Sequence, residues 1–395
     1  MYPHLIDRDI KTYEEYCPED VKELFSIAQK LKKIKICHIN STSHGGGVSE
    51  ILYSEIPLLR SLGLTVDWQV MRGTNRFFPV TKKIHNGMQG EDIKLTNREK
   101  SVYKSVIESN IEDLCFDYDV IFIHDFHPMA MPYFGGKQDS AWIWRCHVDT
   151  STPNPGMVKF LEKFKSKYDA EIYSSPQFTQ SESSNIIFPA IDAFSIKNRK
   201  ISRQASRMIA RDLGVNPGIL LVQVSRFDKW KGFDRSIELF RRLKIEFKNN
   251  LDLVLLGSFA DDDPEGLNEY NKVIDEVAGE DNILVMADRD KLIVNVFQSA
   301  ADIVIQPSIR EGFGLTVTEA LWKETFVIGS AVGGIMLQLP EQYLAFDGDD
   351  FFDKIKILLG MGTRLNSEGK EFVKNLLLLP RMMLEELKLV YRMVK

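Results

Sequence analysis

The stretch Arg310-Glu311-Gly312-Phe313-Gly314-Leu315-Thr316-Val317-Thr318-Glu319-Ala320 limits the fold more than any other part of the chain. Before it, the apolar run Ala301 to Gln306 reads as a buried strand, and after it Glu319-Ala320-Leu321-Trp322-Lys323 reads as the opening of a helix. A strand, a glycine loop and a helix in that order make an anion site. Loop amides point outward, and the positive end of the helix dipole favours a negative ligand. Glu311 and Glu319 flank the loop with seven residues between them. A phosphate has no use for carboxylates, whereas sugar and ribose hydroxyls donate strong hydrogen bonds to them. The local chemistry points to a phosphorylated sugar carrier such as a nucleotide sugar.

The chain has 395 residues, more than one ordinary core accommodates, so two domains are expected. Hydrophobic residues at 44% and charged residues at 27% suit a globular protein, and a net charge of −6 argues against nucleic acid as the main partner. Cys17, Cys37, Cys115 and Cys146 form no CxxC pair, which disfavours a disulfide framework or zinc module and fits a cytoplasmic location. Met1 to Lys11 is too charged for a signal peptide, and no apolar run approaches the ~20 residues of a membrane span.

The strand–loop–helix pattern recurs along the chain. An amphipathic helix is expected near Val21–Leu31, then a strand over Ile34–Asn40, the loop Gly45-Gly46-Gly47 and an apolar helix over Ile51–Leu62. Further strands are expected at Leu64–Met71, Asp119–Asp125, Ala141–Asp149, Ala170–Ser174 and Asn185–Pro189, with helical patterns between residues 77 and 110. Ile196–Ala205 is polar and basic and reads as a connection. A second series follows at Ile219–Ser225, Leu251–Gly257, Ile283–Ala287, Ile303–Gln306 and Phe326–Gly329, and a C-terminal helix spans Met382–Lys395. Strands alternating with helices predict doubly wound, largely parallel sheets in an α/β protein.

Arg226 and Lys231 share one loop after a strand, and a guanidinium fork with an ammonium suits a diphosphate; an exposed turn paired with Asp228 is the plainer alternative. His44, His124, His127 and His147 lack the spacing of a zincin and gain no cysteine support, so no metal site is expected. A hydrogen-bonding role with a polyol suits His147 and Asp149, while Asp149 also fits a turn or capping carboxylate. Neither a Gly-x-Ser-x-Gly elbow nor a P-loop Gly-Lys-Ser/Thr ending is present, and the glycines are not spaced as G-x-G-x-x-G. The Asp261–Asp263 run reads as a solvated loop, and Trp142, Trp144, Trp230 and Trp322 as core or platform residues.

Three elements together resemble the retaining GT-B glycosyltransferases of family 4: the Glu311-x7-Glu319 stretch, Ser225-Arg226-Phe227-x-x-Trp230-Lys231-Gly232 and the Gly45–Gly47 loop. Trp144-Arg145-Cys146-His147-Val148-Asp149-Thr150-Ser151 and Asp262-Asp263-Pro264-Glu265-Gly266 narrow the likeness to the trehalose synthase branch, which includes glycosyltransferring synthases and retaining phosphorylases. The resemblance runs from about Ile34 to Gly334. It implies two Rossmann-like domains with a deep interdomain cleft. Residues 1–200 would form the acceptor-side domain, with helix 380–395 packing back on it, and residues 201–379 the nucleotide-sugar domain.

By the same resemblance, Arg226 and Lys231 hold the donor diphosphate, Glu311 binds hydroxyls of the donor glucose and Glu319 the ribose. Amides of Phe313, Gly314 and Leu315 meet glucose and phosphate, and Gly46 and Gly47 lie in the loop that closes on the diphosphate. His147 contacts the donor sugar, and Asp149 and Asp125 are acceptor candidates. The implied reaction makes trehalose from a nucleoside-diphosphate glucose (UDP-glucose or ADP-glucose) and glucose, with retention and open to reversal. The alternatives are a trehalose phosphorylase and a sugar-binding protein without turnover. No tightly bound cofactor is implied; the resemblance leaves room for stimulation by Mg2+ and for a homodimer. After Gly333-Gly334 the family's Asp-Gly-x-x-Gly segment gives way to Ile335–Asp350, where only Asp347-Gly348 matches. Loop geometry behind the donor site is therefore expected to differ.

Overall fold

A computed structural model describes residues 2–135, 139–179, 184–247, 250–259, 262–287, 290–362 and 365–395. The chain divides into two units, one of Met1–Ala190, Asp261–Pro264 and Leu379–Lys395, the other of Ile191–Ala260 and Glu265–Leu378.

The first unit carries strands β1 (Lys35–Asn40), β2 (Thr65–Val70), β3 (Val120–His124), β4 (Ala141–Cys146), β5 (Ala170–Tyr173) and β6 (Asn185–Ile186). They form one parallel sheet in the order β2-β1-β3-β4-β5-β6. Parallel strands need helical crossovers that cover both faces, so β1 and β4 are buried nearly throughout and β3 completely, while β5 and β6 toward the edge are only partly buried. Cys37, Ile39, Ile121, Ile123, Trp142 and Trp144 build the core on one face, with Phe77, Tyr103 and Phe164 from the covering helices. Helix Pro18–Leu31 packs on the C-terminal helix Leu379–Val394, and Arg381 pairs with Asp20 at 2.8 Å. The strand expected over Asn185–Pro189 pairs only at its first two residues. Pro189 has no N–H to offer a ladder.

The second unit carries β7 (Ile219–Arg226), β8 (Leu251–Ser258), β9 (Ile283–Ala287), β10 (Ile303–Gln306), β11 (Phe326–Ser330) and the two-residue β12 (Leu344–Ala345), in the order β12-β11-β10-β7-β8-β9, again parallel. Its core joins Leu221, Leu253, Leu255, Ile303, Ile305 and Ile328 of the strands to Ile237, Phe240 and Leu243 of helix Phe233–Glu246. The polar stretch expected as a connection is partly helical. Ser202 caps helix Arg203–Asp212, and Arg203 and Arg207 both pair with Asp302. An amphipathic pattern dominated by arginines escapes a reading based on apolar periodicity.

Each sheet has a point where chain order reverses, and ligands of open α/β sheets bind outside the strand carboxyl ends there. In the first unit that point lies between β1 and β3, whose ends lead to the Gly45–Gly47 loop and to His124-Asp125. In the second it lies between β7 and β10, whose ends lead to Arg226–Lys231 and Ser308–Leu315.

Candidate functional site

In the second unit the switch point brings together residues about eighty positions apart. Asp228 caps the single turn Lys229–Lys231 by accepting from the Trp230 amide, and Gly232 then turns left-handed at φ 66°. A Cβ at Gly232 would lie 2.3 Å from the Pro307 carbonyl oxygen, so glycine is required for conformation and for approach. The Ile309 amide donates to the Trp230 carbonyl at 2.8 Å, which fastens the loop after β7 to the loop after β10. Lys231 Nζ consequently reaches both oxygens of Glu311, at 2.7 and 2.8 Å. The pair is largely desolvated, its side chains 13% and 9% exposed. Ser308 donates to the same carboxylate at 3.2 Å. Arg226 stands at the end of β7, 40% exposed and 4.0 Å from Asp228.

Gly314 caps helix Leu315–Trp322 with φ 86°, and its carbonyl accepts the first-turn amide of Val317 at 2.8 Å. Phe313 is buried ahead of it. One turn on, Glu319 is 2% exposed and ion-paired with Lys197 at 2.8 Å, and Gln298 approaches its other oxygen at 3.4 Å. Lys323 steadies Gln298 from below with a 2.9 Å bond. Both expected sugar-binding carboxylates thus already hold a lysine.

The segment that departs from the family pattern supports this loop directly. Gly333–Leu337 forms a 3-10 turn, and the buried Gln338 follows it. Gln338 Nε2 donates to the carbonyls of Phe313, Gly334 and Gly314 at 2.6, 3.3 and 3.4 Å, while its Oε1 accepts from Thr318 at 2.6 Å. One amide therefore ties the loop, the helix and the following turn together. Asp347 caps helix Gly348–Gly360 and takes no part in the loop. Gly334 meets the loop backbone so closely that a Cβ would lie 2.4 Å from Phe313 Cα and 2.8 Å from the Gly312 carbonyl oxygen. Gly334→Ala is expected to destabilise the protein by about 1–3 kcal/mol, because backbone must move to admit the methyl. Chemical denaturation measures this, and an unchanged midpoint would contradict the packing.

In the first unit, Gly45 adopts φ 83° and Gly46 caps helix Gly47–Ser61, with the Ser49 hydroxyl donating to the Gly46 carbonyl at 2.8 Å. Among the described residues, and its chain neighbours apart, no atom lies within 4 Å of a Cβ placed on Gly46, so the loop is open there. At the end of β3, Asp125 is left-handed at φ 59°, a costly conformation for a residue with a side chain. Its carboxylate accepts the His147 amide at 2.8 Å, and its carbonyl accepts from Trp144 Nε1 at 2.9 Å. Asp149 is 1% exposed and accepts from the Ser151 amide and hydroxyl at 3.0 and 2.6 Å, the turn-carboxylate role. His147 is half-buried at the rim, and its ring joins those of His124 and His38. Among the described residues no three or more His, Cys, Asp or Glu are grouped to hold a metal ion.

Burial lowers the proton affinity of these imidazoles: His38 falls to about 4, with Glu55 opposing the shift, and His124 and His147 fall well below the usual value. His85, whose Nδ1 donates to the Thr81 carbonyl at 2.8 Å, falls to about 3, mainly by burial and secondarily by His127. The sign follows. The unfolded chain takes up protons near pH 6.5 and the native imidazoles do not, so stability present above 6.5 is lost as pH falls. For His38 the loss reaches roughly 3 kcal/mol by pH 4. Denaturant midpoints should therefore decline between pH 6.5 and 4.5, above the main carboxylate range, and His38→Asn should lessen the decline. A flat wild-type profile would refute it.

The acidic loop is corrected by the structure. Asp261 lies outside the described residues, but Asp262 accepts from Ser41 at 2.6 Å, and Asp263 pairs with Lys82 at 2.7 Å with both side chains under one-tenth exposed. Asp262 and Asp263 are thus half-buried and paired, not solvated. Lys197, Gln338, His38 and Asp262 were not legible as site residues. Each depends on strand order or on a polar partner distant in sequence, and only His38, a lone imidazole inside an apolar strand, carried any local signal.

Residues 38–180 match the family model described as trehalose synthase, N-terminal domain, and residues 209–351 match glycosyl transferases group 1. The trehalose synthase of Rubrobacter xylanophilus is 38% identical over 395 residues, covering 94% of each chain. The trehalose phosphorylase of Pleurotus pulmonarius is 25% identical over 410 residues, covering 88% of this chain but 55% of its own. The crystal structure of the α,α-trehalose 6-phosphate synthase from Burkholderia multivorans superposes with a TM-score of 0.68 at 14% identity, over 92% of this chain and all of that one, a likeness of fold.

Proposed function

The chain belongs to the trehalose synthase family of GT-B glycosyltransferases, and on that premise we propose that it makes trehalose by transferring glucose from a nucleoside-diphosphate glucose to free glucose with retention. The observation that carries the reading is the Lys231–Glu311 pair at the ends of β7 and β10. An ammonium for a diphosphate and a carboxylate for sugar hydroxyls stand next to each other, as transfer from a phosphate to a sugar requires.

In this reading Arg226 and Lys231 hold the diphosphate, and the amides of Phe313, Gly314 and Leu315 meet phosphate and sugar. Glu311 orients the donor glucose. Glu319 takes the ribose hydroxyls, exchanging the Lys197 ammonium for them. His147 contacts the donor sugar, Gly46 and Gly47 approach the diphosphate, and Asp125 acts on the sugar side through His147, whose amide it holds. Asp149 shapes the same loop through Ser151. The acceptor hydroxyl attacks C1 on the face the diphosphate leaves. The C1–O bond to phosphate breaks as the new C1–O bond forms, and the departing phosphate oxygen takes the acceptor proton. No side chain has to serve as base. Electrostatic stabilisation of the departing diphosphate is the protein's largest contribution.

Glu319 favours a nucleotide sugar over a phosphorylase substrate, because a ribose-binding carboxylate has no task with inorganic phosphate. Incubation with trehalose plus UDP, ADP or phosphate tests the choice. A nucleotide-glucose product supports the proposal; glucose 1-phosphate would replace it with phosphorolysis, and binding without product would remove turnover. Among the described residues no helix is long and apolar enough to cross a membrane.

A further inference from the structure

Side chains alternate along β1 and β3, which puts His38, Phe122 and His124 on one face of the first sheet. His38 stacks on Phe122 with ring centroids 4.5 Å apart and planes within 2°. From there the imidazoles form a file toward the strand ends. His38 Nδ1 lies 3.1 Å from His124 Nε2, and His124 Nδ1 lies 3.0 Å from His147 Nε2. The successive rings are stacked, with centroids 5.4 and 5.3 Å apart.

Each of these contacts joins two ring nitrogens and so needs one N–H and one lone pair. A neutral imidazole has a single N–H, and burial disfavours the charged form of all three rings. Only two arrangements satisfy both contacts: every ring protonated at Nδ1, or every ring protonated at Nε2. Any mixed set sets two N–H groups or two lone pairs against each other in a desolvated interior. The choice decides what His147 offers at its remaining nitrogen, an N–H in the first set and a lone pair in the second. Near the inner end, Glu55 of helix Gly47–Ser61 is fully buried with neither carboxylate oxygen hydrogen-bonded among the described residues, and its field acts on His38 and Arg145. Arg145 is itself paired with Glu386.

We propose that His38, His124 and His147 share one tautomer as a unit, so that His38 and His124 are positioning residues that decide whether His147 meets the sugar as donor or acceptor. The link to sugar rests on the function proposed above; the shared tautomer does not. The test uses the full chain labelled with 15N at histidine, free of substrate at neutral pH, with a long-range 1H–15N spectrum assigned through His38→Asn, His124→Asn and His147→Asn. All three rings should show the same protonated nitrogen, and in Glu55→Gln they should change together or not at all. A mixed set, or a change confined to His38, overturns the proposal. His124→Asn places its amide where Nδ1 stood, so it keeps the bond to His147 and breaks the one to His38. It should release His147 from the shared tautomer and lower kcat about tenfold, the worth of one hydrogen bond, with KM for the nucleotide sugar within about twofold. Unchanged kcat and an unchanged His147 tautomer overturn the positioning role. Full turnover in His147→Asn would instead defeat the assignment of His147 to the sugar while leaving the shared tautomer standing.

Discussion

Lys231→Ala is expected to lower kcat for trehalose formation by about a hundred- to a thousandfold, the range found when one preorganised donor to a developing negative charge is removed. The ammonium is held by both oxygens of Glu311 in a largely desolvated setting, so its charge is weakly screened and its position needs no search. The substitution has a second consequence. It strips Glu311 of its lysine, and a nearly buried carboxylate without its counter-ion is costly, by about 3–5 kcal/mol in comparable pairs. Ser308 still donates to Glu311, which lessens that cost. Turnover and thermal stability should thus fall together in Lys231→Ala. Lys231→Arg, which keeps the charge but changes its shape, should restore stability more fully than turnover. A near-normal kcat in Lys231→Ala would remove this residue from the diphosphate site.

Glu319→Ala has the second large expected effect, a rise in Kd for the nucleotide sugar of about ten- to a hundredfold, from the loss of charge-assisted hydrogen bonds worth roughly 1.5–3 kcal/mol. Two opposing features bear on the size. Glu319 is already paired with Lys197, so ribose hydroxyls must compete with an ammonium, and the net gain from binding is smaller than for an unpaired carboxylate. Removal of the carboxylate also takes an ion-pair partner from Lys197 near Lys323, whose proton affinity burial has pushed down to about 7 against the pull of Glu319. Isothermal titration with UDP-glucose and ADP-glucose measures the outcome. Unchanged affinity would sink the ribose assignment, and a greater loss for one nucleotide sugar would not.

Much of the architecture was legible because its signals are local. β9 and β10 fall on Ile283–Ala287 and Ile303–Gln306, where continuous apolar runs end in polar residues. The order strand, loop and helix around Arg310–Ala320 was legible from glycine placement and apolar runs, but the helix begins at Leu315, so Glu319–Trp322 form its last turn and not the opening expected there. What was not legible depends on strand order. Nothing near Lys231 announces Glu311; the two meet because β7 and β10 are neighbours and Gly232 lets the loops touch. Gln338 sits in the stretch that departs from the family pattern, so resemblance could assign it no role, yet its amide fastens the loop at Phe313 to helix Leu315–Trp322. Asp262 and Asp263 resembled a solvated run because their partners Ser41 and Lys82 lie far away in sequence. β12 was missed since two residues carry no periodicity.

Retaining transfer of glucose from a nucleotide sugar can be followed by proton NMR of a mixture of the protein, glucose labelled with 13C at C1 and UDP-glucose or ADP-glucose. The expected product is α,α-trehalose labelled at one anomeric carbon, together with stoichiometric release of the nucleoside diphosphate. A β-linked product, or release of the diphosphate with free glucose alone, would contradict this transfer.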